Sequence, residues 1–205
     1  EGGAGGADSA QVLYSTSART DVSVRVLGYI EIQEATVGTW ATDATVRQVM
    51  RPGIYRTGDV IQTTYTSTGA VATGTTVFPS DDTIPQSTEG VEVMTLAITP
   101  TSTLNRLRIE SVAHLAHSVG ARTFSALFQD STANALSVGV SDGAVASVRN
   151  ANVTWEMNAG TVSATTFKTR CGNPNAGTLT FNGEAGARLF GGTLTSFMRV
   201  TEVFT

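Results

Sequence analysis

The chain has 205 residues, a formal net charge of −4 and only 15% charged residues. Its lysines and arginines form no cluster, so the series of phosphate contacts that nucleic-acid binding requires is missing. No apolar run approaches the roughly 20 residues of a transmembrane helix, so membrane insertion through such a helix is not expected.

The opening, EGGAGGADSA, starts without methionine and carries no signal-peptide pattern. It reads as a flexible Gly-rich lead from a processed parent, over residues 1–10. An N-terminal β segment is expected over 11–57. Within it Val22, Val24 and Val26 alternate with Ser23, Arg25 and Leu27, and the alternation continues to Ile32 past Gly28. The Pro-Gly turn of RPGIYRTG marks a soft boundary, and residues 58–205 read as one β domain. Strands are expected over Val60–Thr66, between Gly69 and Gly74, and over Val91–Thr99. Leu104–His117 has the clearest alternation. Leu107, Ile109, Ala113 and Leu115 share one face; Arg106, Arg108, Glu110 and His114 share the other. Further strands are expected at Arg122–Phe128, Ala135–Val140, Val145–Met157, Val162–Arg170, Thr178–Phe181 and Thr193–Phe204. Only Val46–Met50 and Ala133–Leu136 have helical flavour. Turn signals between strands at roughly ten-residue spacing predict an all-β, antiparallel β-sandwich.

A domain of this size buries enough core to fold without a disulfide or metal. The single cysteine, Cys171, excludes an intrachain disulfide and reads as a small buried hydrophobe. Lys168 is the only lysine. Arginine tolerates partial burial better than lysine, and lysine-poor surfaces are less protected against association. The composition thus suggests burial of surface against copies of the same chain.

Catalytic constellations are sparse. Nucleophilic catalysis needs a Ser or Cys with a base and an orienting acid. The two histidines, His114 and His117, lie three apart on one predicted strand and should face opposite ways. Asp81 and Asp82 are adjacent in the loop PSDDTIPQSTEG. Paired carboxylates could serve glycoside cleavage or calcium, but nothing here resembles an EF-hand, and solvent-facing turn residues are the commoner reading. Asp130 and Asp142 sit in DSTA and SDGA, where turn hydrogen bonding is the ordinary role. GEAGARLFGG is followed by a strand rather than the helix of a phosphate loop. Trp155 alternates with Val153 and Met157 and reads as core. Tyr65, beside Thr63 and Ser67, is the better candidate for an exposed ring.

Several stretches together resemble tail-fibre and related structural proteins of tailed bacteriophages. They are LYSTSARTDVSVRVLGYIE, GDVIQTTYTSTGAVATGTTVFPSDDTIPQSTEG, VMTLAITPTSTLNRLRIES, FSALFQDSTANAL, MNAGTVSATTFKTRCGN and FGGTLTSFMRVTEVF. The resemblance covers most of Tyr14–Thr205. It implies a virion component with a jelly-roll-like β-sandwich tip, commonly homotrimeric, with no enzymatic residues and no cofactor. Its expected partners are its own copies, other virion proteins and a host-surface glycan or protein. Tyr65, Asp81, Asp82 and Asp130 are the expected receptor contacts. A purely structural joint, baseplate or head decoration is the alternative.

Overall fold

The computed structural model describes Glu34–Thr36, Thr39–Trp40 and residues 55–120 and 122–205. The expected lead over 1–10, the alternation over Val22–Ile32 and the helical stretch Val46–Met50 lie outside the described residues. The chain divides into two compact units, Glu1–Tyr55 and Arg56–Thr205. In the first, β1 (Glu34–Thr36) and β2 (Thr39–Trp40) pair antiparallel.

The second unit is all-β. Its principal strands are β3 (Val60–Thr68), β5 (Val91–Ile98), β6 (Arg106–His117), β7 (Arg122–Gln129), β8 (Ser137–Asp142), β9 (Arg149–Asn158), β10 (Thr165–Gly172) and β14 (Ser196–Val203). The pairing is nested: β3 with β14, β5 with β10, β6 with β9 and β7 with β8. The resulting sheets, β3-β14-β6-β9 and β5-β10-β7-β8, have the connectivity of an eight-strand jelly roll. This is the all-β antiparallel sandwich that the turn spacing predicts. Short additions are β4 (Ala72–Gly74), β11 (Leu179–Phe181), and the hairpin of β12 (Gly183–Glu184) and β13 (Ala187–Arg188). GEAGARLFGG thus holds a hairpin and a one-turn 3-10 helix at Phe190–Gly192.

β6 is the spine of its sheet. Val112 pairs with both Asn152 and Phe197, and Leu115 with both Arg149 and Phe181. One edge of β6 therefore carries β9, while the other carries β14 and then β11. The predicted face of β6 points inward: Leu107, Ile109, Ala113 and Leu115 are buried with Met198 and Val200 of β14. Across the interior they meet Leu127, Phe167 and Cys171 of the second sheet. One polar link joins the sheets inside this core, a 2.8 Å hydroxyl pair between Ser111 and Thr169.

β7 is buried on both faces. Leu127 enters the core, while Phe124, Ala126 and Phe128 form a second cluster under Phe78. Phe78 and Phe124 have ring centroids 5.4 Å apart. The segment following Phe78 is fastened over this outer face. Ser87 N donates to Ala133 O at 2.7 Å, and Ala135 N donates to Pro85 O at 2.9 Å. Those bonds hold Ala133–Leu136 in an irregular extended path instead of a helix, because its backbone donors and acceptors are used by other segments.

Candidate functional site

The outward side of the β3-β14-β6-β9 sheet presents the polar half of each alternating strand. Register aligns these residues in rows. One row runs Tyr65, Arg199, Glu110, Thr154; the next runs Thr63, Thr201, Arg108, Glu156. Arg199 pairs with Glu110. Glu156 takes Arg106 at 2.6 Å and Arg108 at 3.2 Å. The hydrogen bond from Arg106, aided by both guanidinium charges and the Arg108 hydrogen bond, outweighs the opposing effect of burial and holds the Glu156 carboxyl below its ordinary range. Thr63 and Thr201 hydroxyls lie 3.2 Å apart. Three guanidiniums against two carboxylates leave the face slightly cationic.

Tyr65 is 59% exposed and stacks on Phe197, centroids 5.8 Å apart at 29°. Over these rows is an open depression of about 570 Å³, lined by Arg108, Glu110, Thr154, Glu156, Arg199 and Thr201 among others. Trp155 is a correction to the sequence reading, being 39% exposed rather than core. Its strand, β9, is the sheet edge and bonds only to β6 among the described strands, so no further strand closes over it. The outward face offers forked donors, carboxylate acceptors and the Tyr65 ring on a rigid sheet. That chemistry suits a ligand with adjacent hydroxyls and a flat apolar face.

The four residues expected to contact a receptor do not converge. Tyr65 lies on this sheet face. Asp81 and Asp82 lie in the segment fastened over the opposite sheet. Asp81 Oδ1 accepts from Thr83 N at 2.9 Å and from Thr83 Oγ1 at 2.5 Å, and these bonds lower its pKa. Asp82 is exposed. Asp130 sits at φ 51° in the turn after β7. Its carboxylate accepts from Thr165 Oγ1 at 2.8 Å and Thr166 N at 2.7 Å, tying that turn to β10. Arg199 and Glu156 were not singled out by the sequence reading. Arg108 and Glu110 were visible as the outward half of β6, but their partners depend on register.

The histidines do face opposite ways. His114 is half-buried on the outward side, and His117 is buried at the end of β6. Cys171 is fully buried, and burial pushes its thiol up to about 12. Among the described residues no group of three or more His, Cys, Asp or Glu side chains is placed to hold a metal ion, and no helix is long and apolar enough to cross a membrane.

No protein-family model matches the chain, and no curated protein matches it. Among solved structures, Eiger TNF from S. frugiperda aligns at 8% identity and a TM-score of 0.39, covering 68% of this chain and 93% of that one. The infectious bursal disease virus VP2 subviral particle aligns at 14% identity and a TM-score of 0.34, covering 74% of this chain and 40% of that one. The Gx strain of that virus aligns at 12% identity and a TM-score of 0.33, covering 86% and 43%. The chain thus spans less than half the length of the viral chains it aligns with.

Proposed function

We propose that this chain is a non-enzymatic structural protein of a tailed-phage particle that attaches to the host surface, with a glycan as its ligand. The sequence resemblance supplies the virion setting. The observation that carries the binding reading is the outward row of Tyr65, Arg199 and Glu110, beside Arg108 and Glu156. These groups stand on paired strands, so a ligand meets a surface that is already ordered. The chemistry of the possible nucleophiles supports a non-catalytic role. The Cys171 thiol is buried and raised to about 12, and His117 Nδ1 is occupied by the Gly120 amide at 3.0 Å. Assembly as a homotrimer would multiply weak single contacts into firm attachment.

A second reading, a virion component that binds only other virion proteins, is favoured by Val138 and Val140. Both are exposed on β8, an edge strand of its sheet, where a neighbouring protein could cover them. The test applies labelled protein to whole bacterial cells and to extracted capsule and lipopolysaccharide, and assays the same mixtures for reducing ends and released acetate. Saturable binding without product supports attachment. Product release overturns the non-enzymatic reading, and no binding to any cell or glycan favours the second reading.

A further inference from the structure

The charged side chains on the outward face of the β3-β14-β6-β9 sheet are not equally occupied. Glu156 is engaged through both oxygens: Oε1 accepts from Arg106 Nη1 at 2.6 Å, and Oε2 accepts from Arg108 Nε at 3.2 Å. Glu110 is engaged through Oε2 alone, by Arg199 Nη2. Arg108 therefore gives its side-on donor to Glu156 and keeps its end-on pair, Nη1 and Nη2, without a partner among the described residues. That end-on pair is the edge with which a guanidinium meets a carboxylate through two parallel hydrogen bonds.

Register places Arg108 at the middle of the face. It stands between Thr201 of β14 and Glu156 of β9, and the neighbouring Leu107 and Ile109 point into the core and root it outward. Arg199 is its diagonal neighbour, one row on, about 7–8 Å away at the usual sheet spacing and within reach of a long side chain. Both arginines border the open depression, with Thr154 and Thr201. Their side chains are 58% and 50% exposed, so a ligand reaches them without rearranging the sheet.

Three guanidiniums face two carboxylates, which leaves one positive charge unmatched. A single carboxylate balances it. A phosphate monoester, carrying about −1.5 to −2 at pH 7, overshoots. Tyr65 lies two strands and one row from Arg108, about 12 Å between backbone positions at the usual strand spacing and rise. A ligand that touches both residues therefore spans more than one sugar unit.

We propose that the glycan bound on this face is acidic, with a uronic-acid carboxylate seated end-on against Nη1 and Nη2 of Arg108, beside Arg199 and the Thr154 hydroxyl. This rests on the attachment reading of the same face and adds the charge and minimum length of the ligand. A neutral glycan would leave both the Arg108 edge and the unmatched charge to water.

The test titrates the full chain by calorimetry with an oligogalacturonate, with its methyl ester and with glucose 6-phosphate, at low and at high salt. The acid should bind at least about tenfold more tightly than the ester, the range of one charge-assisted hydrogen-bonded pair. Added salt should weaken the acid and leave the ester unchanged. Arg108→Lys keeps the charge and loses the fork, so it should weaken the acid several-fold. Glu156→Gln removes the carboxylate that competes for Arg108, so it should bind the acid several-fold more tightly, a gain that a damaged fold cannot produce. Equal binding of acid and ester, no binding of the acid, preference for glucose 6-phosphate, or no gain in a folded Glu156→Gln would overturn the proposal. Cell binding keeps the two readings apart. A protein that coats cells but treats acid and ester alike retains the attachment reading and loses the acidic ligand. One that prefers the acid yet coats no cells retains the carboxylate site and loses attachment.

Discussion

Asn105 Nδ2 donates a 2.7 Å hydrogen bond to Glu202 Oε1 inside the sandwich, where the Glu202 side chain is fully buried. The same oxygen accepts from Thr101 N and Thr101 Oγ1, each at 2.8 Å, and Oε2 accepts from Gln62 Nε2 at 2.6 Å. One carboxylate thereby joins β3, the β5–β6 turn and β14. Burial alone would raise its pKa, but the donors from Asn105, Gln62 and Thr101 together outweigh it, and the pKa is lowered.

Glu202→Gln replaces one accepting oxygen with an NH₂ that faces other donors. The expected loss is about 2–3 kcal/mol at pH 7, measured by denaturant unfolding. Because the folded pKa is depressed, the stabilisation is fully present above the ordinary glutamate value. It disappears as pH falls through the lowered folded value. Wild type should therefore lose stability on acidification below about pH 4 more steeply than Glu202→Gln, and the gap between them should narrow.

Ile109 is buried between Leu107 and Ser111 on the inward side of β6 and faces Val200 across the strand pair. Ile109→Ala should cost about 2–5 kcal/mol, the range for truncating a core aliphatic. A change below about 0.5 kcal/mol, typical of surface substitutions, would contradict the inward assignment.

The strands were legible because β-branched and apolar residues alternate locally, and β6 shows this best. Strand partners were not legible. β3 and β14 are separated by more than a hundred residues, and nothing in either one names the other. The Arg–Glu pairs of the outward face therefore stayed hidden, although Arg106, Arg108 and Glu110 were correctly placed on one side. β7 shows a different limit: with both faces buried, alternation no longer tells inside from outside. Trp155 shows a third, since an inward periodicity does not bury a side chain on an edge strand. Asp130 was readable as a turn residue, but its bonds to Thr165 and Thr166 depend on a strand 35 residues later.

Gly90 has φ 62°, and a Cβ there would lie 2.6 Å from Cys171 O and 2.9 Å from the Phe78 ring. Gly90→Ala should destabilise the unit by more than about 2 kcal/mol, combining left-handed strain with the clash. Thermal unfolding measures it. The loss should come with easier proteolysis of residues 79–89, because Gly90 N to Val77 O is one of the bonds closing that segment.

Cys171 should be silent toward thiol reagents in the folded protein. Its pKa of about 12 leaves almost no thiolate at pH 8, and the side chain is enclosed by the core. Labelling at pH 8 should follow the unfolding rate and accelerate in Ile109→Ala. Labelling faster than unfolding would show an opening of the core at β10.

The most direct measurement of the attachment reading is cell binding by the double variant Tyr65→Ala/Arg199→Ala. Both side chains lie on the outward face of paired strands, and removing them should change stability by no more than about 1 kcal/mol. With circular dichroism and melting unchanged, the account predicts at least about tenfold weaker binding to cells that wild type coats, a loss of roughly 1.4 kcal/mol per site. A folded double variant that coats the same cells as tightly as wild type would contradict it.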